Sequence, residues 1–162
     1  MGRTYVAKEQ TEMHGVFPRC YLFTLYDDGT FILCSDSWYK MSLSKIEREA
    51  WGGTGEDARD TAEISYYIGH YEVNGSGYTL YYDEGITCVY DNPNDLYNMI
   101  PDDIEMKQDE QKHFSYQREI KFTNSKYRFE ETIPGVKTFI FNITGTCDWD
   151  LKQEYEKLKN GQ

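Results

Sequence analysis

The chain has no hydrophobic run near the roughly 18 residues a membrane-spanning helix needs, and its 162 residues include only three histidines and four prolines. Its four cysteines, Cys20, Cys34, Cys88 and Cys147, are far apart and form no CxxC pair, which excludes a zinc ribbon or dithiol redox motif. They read as thiols in a reducing compartment; disulfides are expected only if a signal peptide has been removed. The opening MGRTYVAKEQ has no apolar core of its own and does not read as a leader. A cytoplasmic location is expected if Met1 is the native start, and an extracytoplasmic one if a leader has been cleaved.

Catalytic signatures are missing too. There is no G-x-S-x-G, no P-loop and no G-x-G-x-x-G. His14, His70 and His113 are not spaced as metal ligands, and His70 reads as a surface residue beside Tyr81. The Asp91–Asp95 string resembles a calcium loop only at its start: Leu96 and Asp102 stand where an EF-hand needs Gly and Glu. No catalytic residue, metal site or cofactor is therefore expected.

Base is scarce relative to acid, with 17 Lys and Arg against 28 Asp and Glu, a net charge of −11. Residues 83–110 hold nine acids and one base, Lys107, so most of the imbalance sits there. Direct binding to a phosphate backbone is disfavoured. A basic protein partner is the reading such a block favours, with Asp91, Asp95, Asp102, Asp103, Glu105, Asp109 and Glu110 as its contact residues.

Hydrophobic residues make up 39% and aromatics 16%, including 15 tyrosines, a composition that suits half-buried pleated sheet in one soluble domain. Three hairpins stand out. In YLFTLYDDGTFILC a two-residue turn at Asp28-Gly29 would pair Tyr26 with Phe31, Leu25 with Ile32 and Phe23 with Cys34. One face then carries Tyr21, Phe23, Leu25, Ile32 and Cys34, the other Leu22, Tyr26, Phe31 and Leu33. Both faces are apolar, so both need a cover. In GHYEVNGSGYTLYYD the Asn74–Gly77 turn pairs Val73 with Tyr78 and Tyr71 with Leu80. In REIKFTNSKYRFEE a turn at Asn124-Ser125 puts Ile120, Phe122, Tyr127 and Phe129 on one face. Further strands are expected at 2–7, 86–90 and 136–143.

Helix signals are few. Ser44 and Glu47 form a capping box before a short helix near 45–51, residues 56–64 read as a helical turn or loop, and Asp148 or Asp150 caps a C-terminal helix near 149–160. Residues 91–111 break the strand rhythm and read as an acidic insert without regular structure. The expectation is a single mainly β domain over 1–162, an antiparallel meander closing into a barrel or sandwich.

The stretches GRTY, DDGTF and GHYEVNGSGYTL together resemble the small bacterial lipocalin-like domains, over about residues 2–82. That resemblance implies a barrel whose interior is filled by side chains or holds one small ligand. It also implies that one face of the first hairpin points inward while the other packs on the 45–51 helix or the C-terminal helix. Such domains are often secreted or lipid-anchored and mostly lack known activity; this chain has no lipobox. The expected function is a non-catalytic binding module for a small apolar or aromatic ligand or a protein partner, with Tyr26, Trp38, Tyr71, Tyr78 and Tyr82 as ligand contacts. The alternative is an acidic inhibitor or immunity-type protein acting through residues 83–110.

Overall fold

The computed structural model describes residues 3–9, 20–35, 62–91, 95, 98, 100–106, 117–123, 126–133, 135 and 137–160. Its strands are β1 (Thr4–Glu9), β2 (Cys20–Leu25), β3 (Thr30–Ser35), β4 (Ala62–Asn74), β5 (Gly77–Tyr90), β6 (Asp103–Met106), β7 (Gln117–Thr123), β8 (Lys126–Ile133) and β9 (Lys137–Cys147), followed by helix α1 (Leu151–Asn160). Eight of them close an antiparallel barrel in the order β1-β2-β3-β4-β5-β7-β8-β9, with β9 pairing back onto β1. Closure gives every barrel strand a paired neighbour on both sides. β6 stands outside the ring, paired with the second half of β5. The expected helix near 45–51 lies outside the described residues.

The first hairpin departs from its expected register. Leu25 pairs with Phe31, Thr24 with Ile32, Phe23 with Leu33 and Leu22 with Cys34. The turn has three residues, Asp27-Asp28-Gly29, rather than two. The Gly29 amide donates to the Tyr26 carbonyl at 3.1 Å, the Tyr26 amide donates to the Thr30 carbonyl at 2.9 Å, and Gly29 takes the left-handed conformation with φ 86°. The Asp28 carboxylate holds the turn by accepting from the amide and hydroxyl of Thr30, at 2.9 and 2.6 Å. One extra turn residue exchanges the faces of β3. Phe31 and Leu33 join Tyr21, Phe23 and Leu25 inside the barrel, while Ile32 and Cys34 join Leu22 outside.

That outer face is the one α1 covers. Asp150 caps the helix, its Oδ1 accepting from the Gln153 amide at 3.0 Å. Leu151, Tyr155 and Leu158 recur at helical spacing and are buried against Leu22, Ile32, Tyr66 and Ile86. Polar contacts rim the seam. The Tyr66 hydroxyl donates to Glu154 at 2.7 Å, and Glu84 Oε1 accepts from Tyr155 at 2.6 Å and Lys159 at 2.8 Å.

The other two hairpins have the expected registers, Val73 opposite Tyr78, Tyr71 opposite Leu80, Ile120 opposite Phe129 and Phe122 opposite Tyr127. β4 and β5 run much longer than their signals. β5 absorbs the separate strand expected at 86–90, and β4 begins at Ala62, within the stretch read as a helical turn or loop. A bulge at Gly69 makes this possible, with Gly69 opposite Tyr82 and Ile68 opposite Glu84. A Cβ at Gly69 would lie 1.9 Å from the Tyr81 carbonyl oxygen, so only glycine fits. Because Asp83 is extra, Tyr78, Leu80 and Tyr82 face inward, whereas Ile86, Cys88 and Tyr90 join the outer core. Part of the acidic insert is likewise regular: Asp103–Met106 is strand β6.

Burial holds the phenols of Tyr66, Tyr82, Tyr90 and Tyr155 above their ordinary value of 10.0, and for Tyr155 the bond to Glu84 adds to the effect. The unfolded chain ionises these groups near 10 and the folded chain only at higher pH. Their contribution to stability is therefore complete below pH 10 and falls as pH rises through the folded values. The urea midpoint is expected to drop steeply above pH 10, with tyrosinate absorbance at 295 nm rising together with loss of the far-UV dichroism. Full tyrosine ionisation with the dichroism intact would overturn this.

Candidate ligand-binding mouth of the barrel

The inward stripe of each barrel strand continues towards the hairpin end, where the interior opens into a cavity of about 570 Å³. Its wall is Arg3, Tyr5, Phe23, Leu25, Asp27, Tyr71, Tyr78, Ile120, Tyr127 and Ile143, drawn from every barrel strand but β3. The aromatic alternation that builds the strands thus also builds the site. The Tyr71 and Tyr78 rings meet edge to face at 5.5 Å, and the Tyr71 hydroxyl donates to the Tyr26 carbonyl at 2.6 Å. Burial, then Tyr78, Asp27 and Asp28, raise the Tyr71 phenol above its ordinary value. At the lip of the cavity the same stripes emerge as an apolar rim: Val73 is 71% exposed, and Phe122 packs on the wall residue Tyr127 at 4.7 Å.

The floor is a packed aromatic plug. Phe23 is 1% exposed and stacks on Tyr5 at 5.4 Å and on Phe129 at 6.0 Å. Phe129 meets Phe141 at 5.7 Å, and Tyr21 closes on both from below at 4.9 and 4.8 Å. Such aromatic pairs add to the stabilisation from area buried.

Beneath the plug lies a buried ion pair. Arg118 Nε donates to Glu131 Oε2 at 2.7 Å, and the same oxygen accepts from the Tyr21 hydroxyl at 2.7 Å. The guanidinium stands 4.5 Å over the Tyr82 ring and 5.4 Å over Tyr67. Tyr82 places its hydroxyl in the interior, where it has no hydrogen-bond partner among the described residues. The signal was present in the third hairpin. Arg118 and Glu131 continue the stripe of Ile120 and Phe129, and the register sets them opposite each other.

Of the expected ligand contacts, Tyr71 and Tyr78 line the mouth. Tyr82 lies below, packed on Phe31 and Tyr67. Tyr26 is on the other side of the wall, in a cleft of about 470 Å³ beside α1, with Lys152 Nζ 5.5 Å over its ring. Trp38 lies outside the described residues. Tyr5, Leu25, Ile143, Arg3 and Asp27 also line the mouth, and nothing local in the sequence brings these chain-distant residues together.

No protein-family model matches the chain, and no match was found among curated proteins or solved structures. The geometry therefore has to carry the functional reading.

Asp91, Asp102, Asp103 and Glu105 are exposed and Asp95 is half-buried. Asp102 Oδ2 accepts from the Asp91 amide at 2.7 Å, which ties the β5–β6 connection. Asp109 and Glu110 lie outside the described residues. His70 stacks on Tyr81 at 5.2 Å, with Nδ1 3.4 Å from Asp83, both exposed. Among the described residues no group of His, Cys, Asp and Glu could hold a metal ion, and no helix is long and apolar enough to cross a membrane.

Proposed function

We propose that the protein is a non-catalytic binding module that takes a small apolar or aromatic molecule into the mouth of its barrel. The observation that carries this reading is the cavity of about 570 Å³, walled by tyrosines and aliphatic side chains and closed below by the Phe23 plug. That volume lies in the range typical of small-molecule sites, about 300–1,000 Å³. The lipocalin-like pattern of the first two hairpins supports the same reading. The test is a fluorescence titration with N-phenyl-1-naphthylamine, an uncharged aromatic probe. Saturable binding of one probe per chain is expected, and Ile143→Trp, which fills the cavity from β9, is expected to weaken it by about tenfold or more with the dichroism unchanged. Binding indifferent to Ile143→Trp would overturn the assignment.

A second reading rests on the position of the acids. Asp103 and Glu105 stand exposed on β6, outside the closed ring, with Asp102 beside them. A basic protein partner fits that face. Neutralising Asp102, Asp103 and Glu105 to Asn and Gln is expected to leave stability unchanged and to reduce what the protein retains from a native lysate. Equal recovery by both versions would remove this reading.

A further inference from the structure

We infer that the ligand of the barrel mouth is a flat aromatic anion, its ring held among Tyr5, Tyr78 and Tyr127 and its anionic group received by Arg3. This rests on the mouth being the ligand site and concerns what that site selects. Among the described residues of the cavity wall, Arg3 and Asp27 are the only charged ones. They are not equivalent. Asp27 has an interaction of its own, whereas Arg3 is exposed and makes no ion pair or hydrogen bond among the described residues. The chain is strongly acidic, and Lys121, Lys159 and Arg118 are all bonded to carboxylates. An uncommitted guanidinium on a cavity lip offers a planar fork of donors that fits carboxylate, sulfonate or phosphate oxygens.

The tyrosines supply the second half of the selection. The Tyr71 hydroxyl is committed to the Tyr26 carbonyl. Tyr5, Tyr78 and Tyr127 line the same space with no such bond among the described residues, so their hydroxyls can donate towards an anion. Tyr5 already stacks on Phe23, and Tyr5 and Tyr127 remain 37% and 46% exposed. Aromatic walls prefer stacked or edge-to-face partners, which a flat ring satisfies and a flexible alkyl chain does not. A cationic ligand would have to approach Arg3 while competing for an aspartate already engaged.

The experiment uses two probes that differ by one group, N-phenyl-1-naphthylamine and 8-anilinonaphthalene-1-sulfonate, titrated into the full chain. Wild type is expected to bind the sulfonate about tenfold tighter than the uncharged probe. Arg3→Gln is expected to erase that preference, lowering sulfonate affinity about tenfold while the uncharged probe changes less than about twofold, and Arg3→Lys to restore only part of it. Naphthalene-2-sulfonate is expected to displace the bound probe at lower concentration than octyl sulfate. If Ile143→Trp weakens both probes but Arg3→Gln leaves the sulfonate unaffected, the mouth remains the site and the anion inference falls. Easier displacement by octyl sulfate overturns the aromatic half. If Ile143→Trp weakens neither probe, the mouth assignment itself fails, and this inference with it.

Discussion

Replacing Glu131 by alanine is expected to lower the unfolding free energy by about 3–5 kcal/mol, because it removes the carboxylate that faces a buried guanidinium. Arg118 and Glu131 are 7% and 3% exposed, so water cannot take over the lost carboxylate. The Nε–H and the Tyr21 hydroxyl would both lose an acceptor at 2.7 Å. The pair itself is worth much less than that penalty, since its desolvation offsets most of its attraction. Replacing both residues, Arg118→Met with Glu131→Met, is therefore expected to cost far less than Glu131→Ala alone, and to match wild type if the barrel repacks. Urea unfolding at pH 7 with a common slope measures both. A loss below about 1 kcal/mol in the single variant, or a double variant worse than the single, would mean that the barrel interior solvates the guanidinium. The pair also guards register. A one-residue slip between β7 and β8 would turn one of the two charges to the outer face and separate it from the other, which stays buried.

Phe23→Ala is expected to cost about 3–5 kcal/mol as well, through a cavity rather than a charge. Phe23 is buried at the centre of β2, where it is both core and cavity floor. Truncation would remove its stacking on Tyr5 and Phe129 and join the mouth to a void in the plug. Phe23→Leu keeps most of the volume and is expected to cost under about 1.5 kcal/mol. The measurement is again urea unfolding. An alanine variant that loses less than about 1 kcal/mol would show that the plug collapses around the gap and that the floor is not a rigid boundary of the site.

What the sequence determined by itself is local. The Asn74–Gly77 turn and the two-residue spacing between β7 and β8 set the registers of their hairpins, because loop length and one polar face together allow only one alignment. The C-terminal helix was legible too: a capping aspartate, Asp148 or Asp150, precedes apolar residues at helical spacing, and the structure puts Asp150 at the cap. Tyr71 and Tyr78 could be placed together because they lie in one such hairpin. The first hairpin could not be resolved this way. Asp27-Asp28-Gly29 supports a turn of two or three residues, and a strand pair apolar on both faces gives alternation nothing to choose by. Only the tertiary structure decided it, by supplying a helix for the face bearing Leu22 and Ile32 and a barrel interior for the face bearing Phe23 and Phe31. It also decided the bulge at Gly69, which splits the tyrosines of β5 between two cores. Closure of β9 on β1 then brought Arg3, Tyr5 and Ile143 to one mouth with Tyr78 and Tyr127. Contacts between residues so far apart in the chain form only when the ring closes, and no neighbour in the sequence records them.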